Sequence, residues 1–245
     1  MEKKYILNTK NYYREYFIDD NKRPIVIIAP GGGYKYTSER ESEPVAKYYN
    51  KNGFHAVVVN YRETNEELYP KPQEYLAYVL KLFKNDKRVS KLIGLGFSAG
   101  GHCMLEITAH SNNYGIKPDL LMLAYPVVTS NELYSHKGSF ENLIDYNDKE
   151  LLEYLSLEKE INKDMPDLFL WHTFTDESVN VMNSLLLLEA YKKNDLNAEF
   201  HMFPLGGHGL SLANEETAQG EPKKLVPYIS SWIDYSIKWI NYKLK

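Results

Sequence analysis

The chain has 245 residues and a mass of 28.5 kDa, with 29 Lys plus Arg against 33 Asp plus Glu and a formal net charge of -4. Its 43% hydrophobic and 25% charged composition is that of a globular chain and excludes wholesale disorder. Weak acidity excludes the basic footprint of a nucleic-acid binder, and a single cysteine, Cys103, excludes an internal disulfide and a cysteine-based zinc site.

Scaling of folded surface with mass gives about 11,000 Å², so a sizeable core is available to one domain spanning 1–245. The start, MEKKYILNTK, has no apolar segment behind it, and no run approaches the roughly 18 residues of a membrane span. A cytoplasmic protein with no membrane partner is expected. The N-terminal Tyr5–Asp19 reads as short antiparallel edge strands. Apolar, β-rich runs then follow at Pro24–Ala29, His55–Asn60, Lys91–Gly96, Asp119–Tyr125, Asp167–His172 and Ala198–Phe203. Helical periods separate them at Glu41–Lys51, Gln73–Phe83, Ala99–His110, Val181–Lys193 and Lys223–Ile240. Strands apolar on both faces, alternating with helices, predict an α/β fold with a mainly parallel sheet covered on both sides. The polar and aromatic segment Ser130–Lys163 breaks the rhythm and reads as a lid-like insertion.

The most informative stretch is Gly96-Phe-Ser-Ala-Gly100, which matches G-x-S-x-G between an apolar strand and a helix. A sharp strand-to-helix reversal holds the serine in a strained conformation, and its hydroxyl points out at the sheet's carboxyl edge. The N–H groups opening the helix favour a developing oxyanion. The overlapping Gly94-x-Gly96-x-x-Ala99 fits a dinucleotide pattern, but the next strand ends in Tyr125-Pro126 rather than in an acidic residue. A glycine-rich turn with a capping serine is the bland alternative.

A serine hydrolase needs two N–H donors aimed at its tetrahedral intermediate. Ala99, after the serine, is one. The cluster Pro30-Gly-Gly-Gly-Tyr34 offers the other, Gly32 before Gly33. No G-x-x-x-x-G-K-[ST] is present, which excludes a nucleotide P-loop. Of seven histidines, His208 lies in a glycine-rich loop directly after the run Ala198–Phe203, where a base belongs. His102, one helical turn past Ser98, is expected to pack or hydrogen-bond beneath the turn, and His172 to orient a nearby loop. Asp176, on the loop after Asp167–His172, is expected to fix the tautomer of His208, with its neighbour Glu177 as the alternative.

With these pieces in place the chain resembles the α/β-hydrolase superfamily, and within it the small acetyl-xylan-esterase-like, sugar-ester hydrolases. The matching phrases are PGGGY at Pro30–Tyr34, NYR at Asn60–Arg62, GFSAGGH at Gly96–His102, WHTFTDESV at Trp171–Val179 and FPLGGHGL at Phe203–Leu210. Pro30 departs from the pattern, since relatives often carry histidine there. The resemblance implies a triad of Ser98, Asp176 and His208, an oxyanion hole at Gly32, Gly33 and Ala99, and removal of acetyl or other short acyl groups from a small carbohydrate ester. It implies no cofactor and no metal. Tyr34, and Tyr134 and Phe140 in the insertion, are expected to touch substrate. An acyltransferase, an arylformamidase and a small peptidase are alternatives on the same fold, and a homodimer stays open.

Overall fold

The structure, a computed structural model, describes residues 2–8, 10–63 and 67–245. Among them one eight-stranded sheet runs in the order β1-β2-β4-β3-β5-β6-β7-β8. The strands are β1 (Glu2–Ile6), β2 (Tyr12–Tyr16), β3 (Arg23–Ala29), β4 (His55–Asn60), β5 (Val89–Phe97), β6 (Leu120–Ala124), β7 (Leu168–Thr173) and β8 (Ala198–Phe203). β1 pairs antiparallel with β2 and β2 with β4, as expected of the N-terminal segment, and all other pairings are parallel. The α/β expectation therefore holds, with the sheet's carboxyl edge formed by β3 to β8.

Period-two alternation divides the core. In β3, Ile25 and Ile27 face one side of the sheet while Val26 and Ile28 face the other, all fully buried. Helices α1 (Glu43–Lys51) and α9 (Trp232–Lys243) cover the Val26 side through Val45, Tyr49, Trp232 and Ile240. Helices α2 (Lys71–Lys84), α3 (Ser98–Ala109) and α7 (Met182–Lys193) cover the Ile27 side through Leu76, Met104 and Tyr191. Short helices complete the chain: α4 (Ser111–Tyr114), α5 (Lys137–Leu143), α6 (Lys149–Tyr154) and α8 (Glu215–Ala218). The exposed surface is 11,042 Å², in line with the area scaling of a compact chain of this mass.

Two expectations need correction. The helix read over Lys223–Ile240 is confined to α9, preceded by a 3-10 turn at Pro222–Lys224 and irregular chain. Pro227 removes a backbone donor and disfavours the helical conformation of the residue before it, so the period cannot propagate through it. The insertion does not form a detached lid. Phe140, Leu143, Leu155 and Leu157 are buried in the core on the α3 side of the sheet.

Candidate active site

Ser98 sits where β5 passes into α3, with φ 50, a left-handed conformation that a residue with a side chain adopts only when its surroundings impose it. The surroundings are tight. A Cβ on Gly100 would lie 2.1 Å from the carbonyl oxygen of Ala29, so only glycine lets β3 approach the turn.

From this turn a relay of short contacts runs outward. His208 Nε2 lies 2.7 Å from Ser98 Oγ, and His208 Nδ1 lies 2.7 Å from Asp176 Oδ2. With the proton on Nδ1, His208 donates to the carboxylate and accepts from the serine hydroxyl. Asp176 has a fully buried side chain, and its Oδ1 accepts the N–H groups of Ser178 and Val179 at 2.9 and 3.0 Å. His172 Nε2 approaches Oδ2 at 3.3 Å while also facing the Val179 carbonyl at 3.0 Å. Burial alone would raise the Asp176 carboxyl. The hydrogen bonds from His172 and His208, the His208 charge and the Val179 N–H outweigh it and hold the group well below the usual carboxylate range. The alternative acid, Glu177, is exposed and lines a neighbouring surface pocket.

The glycine loop after β3 has its carbonyls pinned. Pro30 O accepts from Tyr61, Gly31 O from the Ser38 N–H, Gly32 O from the Lys35 N–H, Gly33 O from Asn142 and Tyr34 O from Arg62 Nε. Among the described residues the N–H groups of Gly32 and Gly33 have no partner, and both residues line the cavity that holds Ser98. Gly32 has φ 129, and a Cβ there would lie 2.1 Å from the Tyr36 carbonyl oxygen, so glycine is required. Ala99 is buried in the first turn of α3, whose N–H groups have no carbonyl one turn earlier in the helix. Pro30, which departs from the family pattern, leaves the loop anchored through its carbonyl.

His102 lies beneath the turn, as its spacing predicts. Its Nδ1 accepts from the Tyr34 hydroxyl at 2.9 Å and its Nε2 donates to the Leu155 carbonyl at 2.9 Å. Burial pushes its pKa down to about 4, so the ring is neutral at ordinary pH. Two of the three residues expected at the substrate are therefore elsewhere. Tyr34 is buried under the glycine loop against His102 and Gln73, and Phe140 is buried with its ring 5.3 Å from that of His102. Tyr134 lines the adjacent pocket that also holds Glu177, and that pocket shares Ser178 with the cavity around Ser98. From the insertion, His136 reaches the Ser98 cavity.

That cavity has a volume of about 600 Å³. Its walls come from segments 36–41 and 219–224, which sequence reasoning passed over. Arg40 and Glu221 join the two segments at 2.6 Å, and Lys224 Nζ donates to the carbonyl of His208. Glu41 and Tyr125, also passed over, lie beneath the site. Glu41 reads as an ordinary acidic residue opening a helix, and Tyr125 as the last residue of an apolar strand, so no local signal marks either one. Among the described residues no cluster of His, Cys, Asp or Glu could hold a metal ion, and no helix is long and apolar enough to cross a membrane.

The chain is 33% identical over 221 residues to endo-1,4-beta-xylanase B of Butyrivibrio fibrisolvens, a match that covers 82% of this chain and 35% of that protein. It is 27% identical to an acetylxylan esterase of Xylanibacter ruminicola, covering 79% of this chain and 42% of that one. It thus spans well under half the length of these curated relatives. Among solved structures, the carboxylesterase Cest-2923 from Lactobacillus plantarum WCFS1 superposes with a TM-score of 0.87 at 26% identity, covering 99% of this chain and 98% of the other. Residues 71–234 match the prolyl oligopeptidase family, and the chain belongs to that family of α/β-hydrolases.

Proposed function

We propose that this chain is a serine carboxylesterase that removes short acyl groups, foremost acetyl, from carbohydrate esters. The observation that carries the reading is the continuous relay Ser98 Oγ, His208, Asp176 at 2.7 Å per contact. In this scheme Ser98 Oγ attacks the ester carbonyl carbon while its proton passes to His208 Nε2. The tetrahedral oxyanion accepts from the N–H groups of Ala99 and of Gly32 or Gly33. Collapse breaks the bond to the sugar oxygen, which leaves with the proton from His208 and generates the acyl-enzyme. Water then attacks, gives its proton to His208, and the acid departs as Ser98 regains its hydrogen. Asp176 holds the tautomer and balances the imidazolium.

The acetyl and sugar parts of the reading rest on the cavity walls and on the relatives. The walls are glycine backbone, hydroxyls, charged side chains and the rings of Tyr36, His136 and His208, with no Leu, Ile, Val or Phe among them, which suits a small acyl group and a sugar ring better than a fatty chain. One relative is an acetylxylan esterase and another a xylanase. The family match favours a second reading, cleavage of a peptide bond by the same residues. Hydrolysis of p-nitrophenyl acetate, an acetylated xylo-oligosaccharide and a prolyl p-nitroanilide separates the two. The ester reading expects turnover of the first two and a fall on the order of a million-fold in Ser98→Ala. Turnover of the anilide alone, or a Ser98→Ala variant with a tenth of the activity, refutes it.

A further inference from the structure

Glu41 is 2% exposed, yet it lines the cavity around Ser98 and makes no ion pair with the described residues. A buried carboxylate without a paired cation is costly unless hydrogen bonds satisfy it. Both of its oxygens are in fact satisfied, and by groups from opposite sides of the site. Oε2 accepts the N–H of Gly31 at 2.7 Å, and Oε1 accepts the hydroxyl of Tyr125 at 2.7 Å. That hydroxyl in turn accepts the N–H of Ser211 at 2.9 Å. One end of the chain is the glycine loop that precedes Gly32 and Gly33. The other end lies three residues past His208. Ser211 Oγ closes the ring by donating to the carbonyl of Arg40, beside Glu41.

The arrangement is tight at both ends. A Cβ on Gly31 would lie 2.9 Å from Glu41 Oε2 and 2.9 Å from Ser98 Cβ, so only a glycine fits between the carboxylate and the serine. Tyr125 is held at φ 38, and its ring meets the His208 ring at 5.0 Å and an interplanar angle of 70°. We infer that Glu41 is a positioning residue: through Gly31 and through Tyr125 it fixes the oxyanion loop and the histidine loop in one frame, and its charge supports the imidazolium of His208. The inference rests on the serine-esterase reading above.

Titratable and charged groups face the carboxylate from several elements. They are Tyr125 at the end of β6, Tyr61 just after β4, His208 and Lys224 from the C-terminal segments, and on its own turn Glu39 and Arg40, whose guanidinium is engaged with Glu221. Burial raises the Glu41 pKa, against the Tyr125 and Gly31 hydrogen bonds and the charges of His208 and Lys224. An anion here makes protonation of His208 more favourable. Removing it lowers the basicity of the ring and moves the acid limb of kcat/KM to lower pH.

Glu41→Gln keeps the shape and removes the charge. In the full chain, with p-nitrophenyl acetate, kcat is expected to fall roughly 10- to 100-fold with KM within about 3-fold, because small misplacements of catalytic groups cost on that scale. The acid limb is expected to move down by about half a pH unit or more. Tyr125→Phe leaves the Glu41 side chain in place but cuts its hydrogen bond from Tyr125 and the one from the Ser211 N–H to Tyr125, so kcat is expected to fall about 10-fold. A folded Glu41→Gln variant with the wild-type acid limb overturns the inference, whatever its kcat, since a merely structural role would leave the profile unmoved. If Glu41→Gln does not fold, Tyr125→Phe decides: wild-type kcat overturns the inference, and a selective loss of kcat supports it. Ser98→Ala run alongside keeps the two questions apart, because activity surviving there refutes the esterase reading itself.

Discussion

Replacing Asp176 by Asn tests the site at its most constrained point. The carboxylate faces four polar groups: the N–H groups of Ser178 and Val179 donate to Oδ1 at 2.9 and 3.0 Å, His208 donates to Oδ2 at 2.7 Å, and His172 Nε2, which also faces the Val179 carbonyl at 3.0 Å, lies 3.3 Å from Oδ2. An Asn side chain has one acceptor atom and one donor group for the same four. If its oxygen stays with the backbone, its NH₂ faces His208 Nδ1, and the ring must move its proton to Nε2. Nε2–H then points at Ser98, which has lost its base. For such a tautomer switch kcat falls by up to ~10⁴-fold, or about 5.5 kcal/mol of transition-state stabilisation. If the amide flips, two buried N–H groups face a donor at about 1–3 kcal/mol each, and the loss appears as a lower thermal midpoint. Stopped ester assays on both Asp176→Asn and Glu177→Gln, with a melting curve for each, separate these outcomes. The pH dependence adds a second reading. Because the folded-state pKa of Asp176 is depressed, its contribution to stability is present above about pH 4 and is lost as pH falls through the folded value. Asp176→Asn is expected to lose that part of the acid-side decline. An Asn variant with a tenth of wild-type kcat and an unshifted melting curve, or a Glu177→Gln variant equally impaired, refutes the assignment.

Gly32→Ala places a methyl group 2.1 Å from the Tyr36 carbonyl oxygen at a φ that only glycine adopts readily, so the loop must move. Loss of an oxyanion donor costs about 10²–10³-fold in kcat, with roughly 1–3 kcal/mol of strain in stability; near-normal turnover would remove Gly32 from the oxyanion hole. Phe140→Ala empties a site that is 1% exposed and is expected to cost about 3–5 kcal/mol on denaturant unfolding, whereas half-buried Tyr134→Ala stays within about 1 kcal/mol. Equal losses would show that the two side chains are not divided between core and surface as described.

The sheet and the strand-to-helix turn at Ser98 were legible because their signals are local. Apolar runs at Pro24–Ala29 and Asp119–Tyr125 are too short for buried helices, and steric demands at Gly96-Phe-Ser-Ala-Gly100 leave a fixed imprint in five consecutive residues. His208 and Asp176 were legible by position, each on the first loop after its own strand at the carboxyl edge. His172 was read only as loop support, and its contact with Asp176 came from the fold. The long helix over Lys223–Ile240 was misread because apolar periodicity continues through Pro227 even though the backbone cannot.

The substrate side was misread for a different reason. Aromatic residues in a polar insertion look the same in sequence whether they face a ligand or a core. Phe140 and Tyr34 were read by type, but both are claimed by His102, a neutral buried ring that needs a hydrogen-bond donor on Nδ1 and an apolar wall beside it. The insertion thereby becomes scaffold: the Leu155 carbonyl accepts the His102 N–H, Asn142 holds the Gly33 carbonyl, and His136 reaches the cavity. The space left above Ser98 is walled by chain segments joined through Arg40 and Glu221, which are 181 residues apart. Such a wall has no sequence pattern, since neither segment carries a periodicity or motif and the pairing exists only after folding. The walls of that space are thus drawn from residues that the fold recruits, while Ser98, Asp176 and His208 stand in segments that the local chain already sets apart.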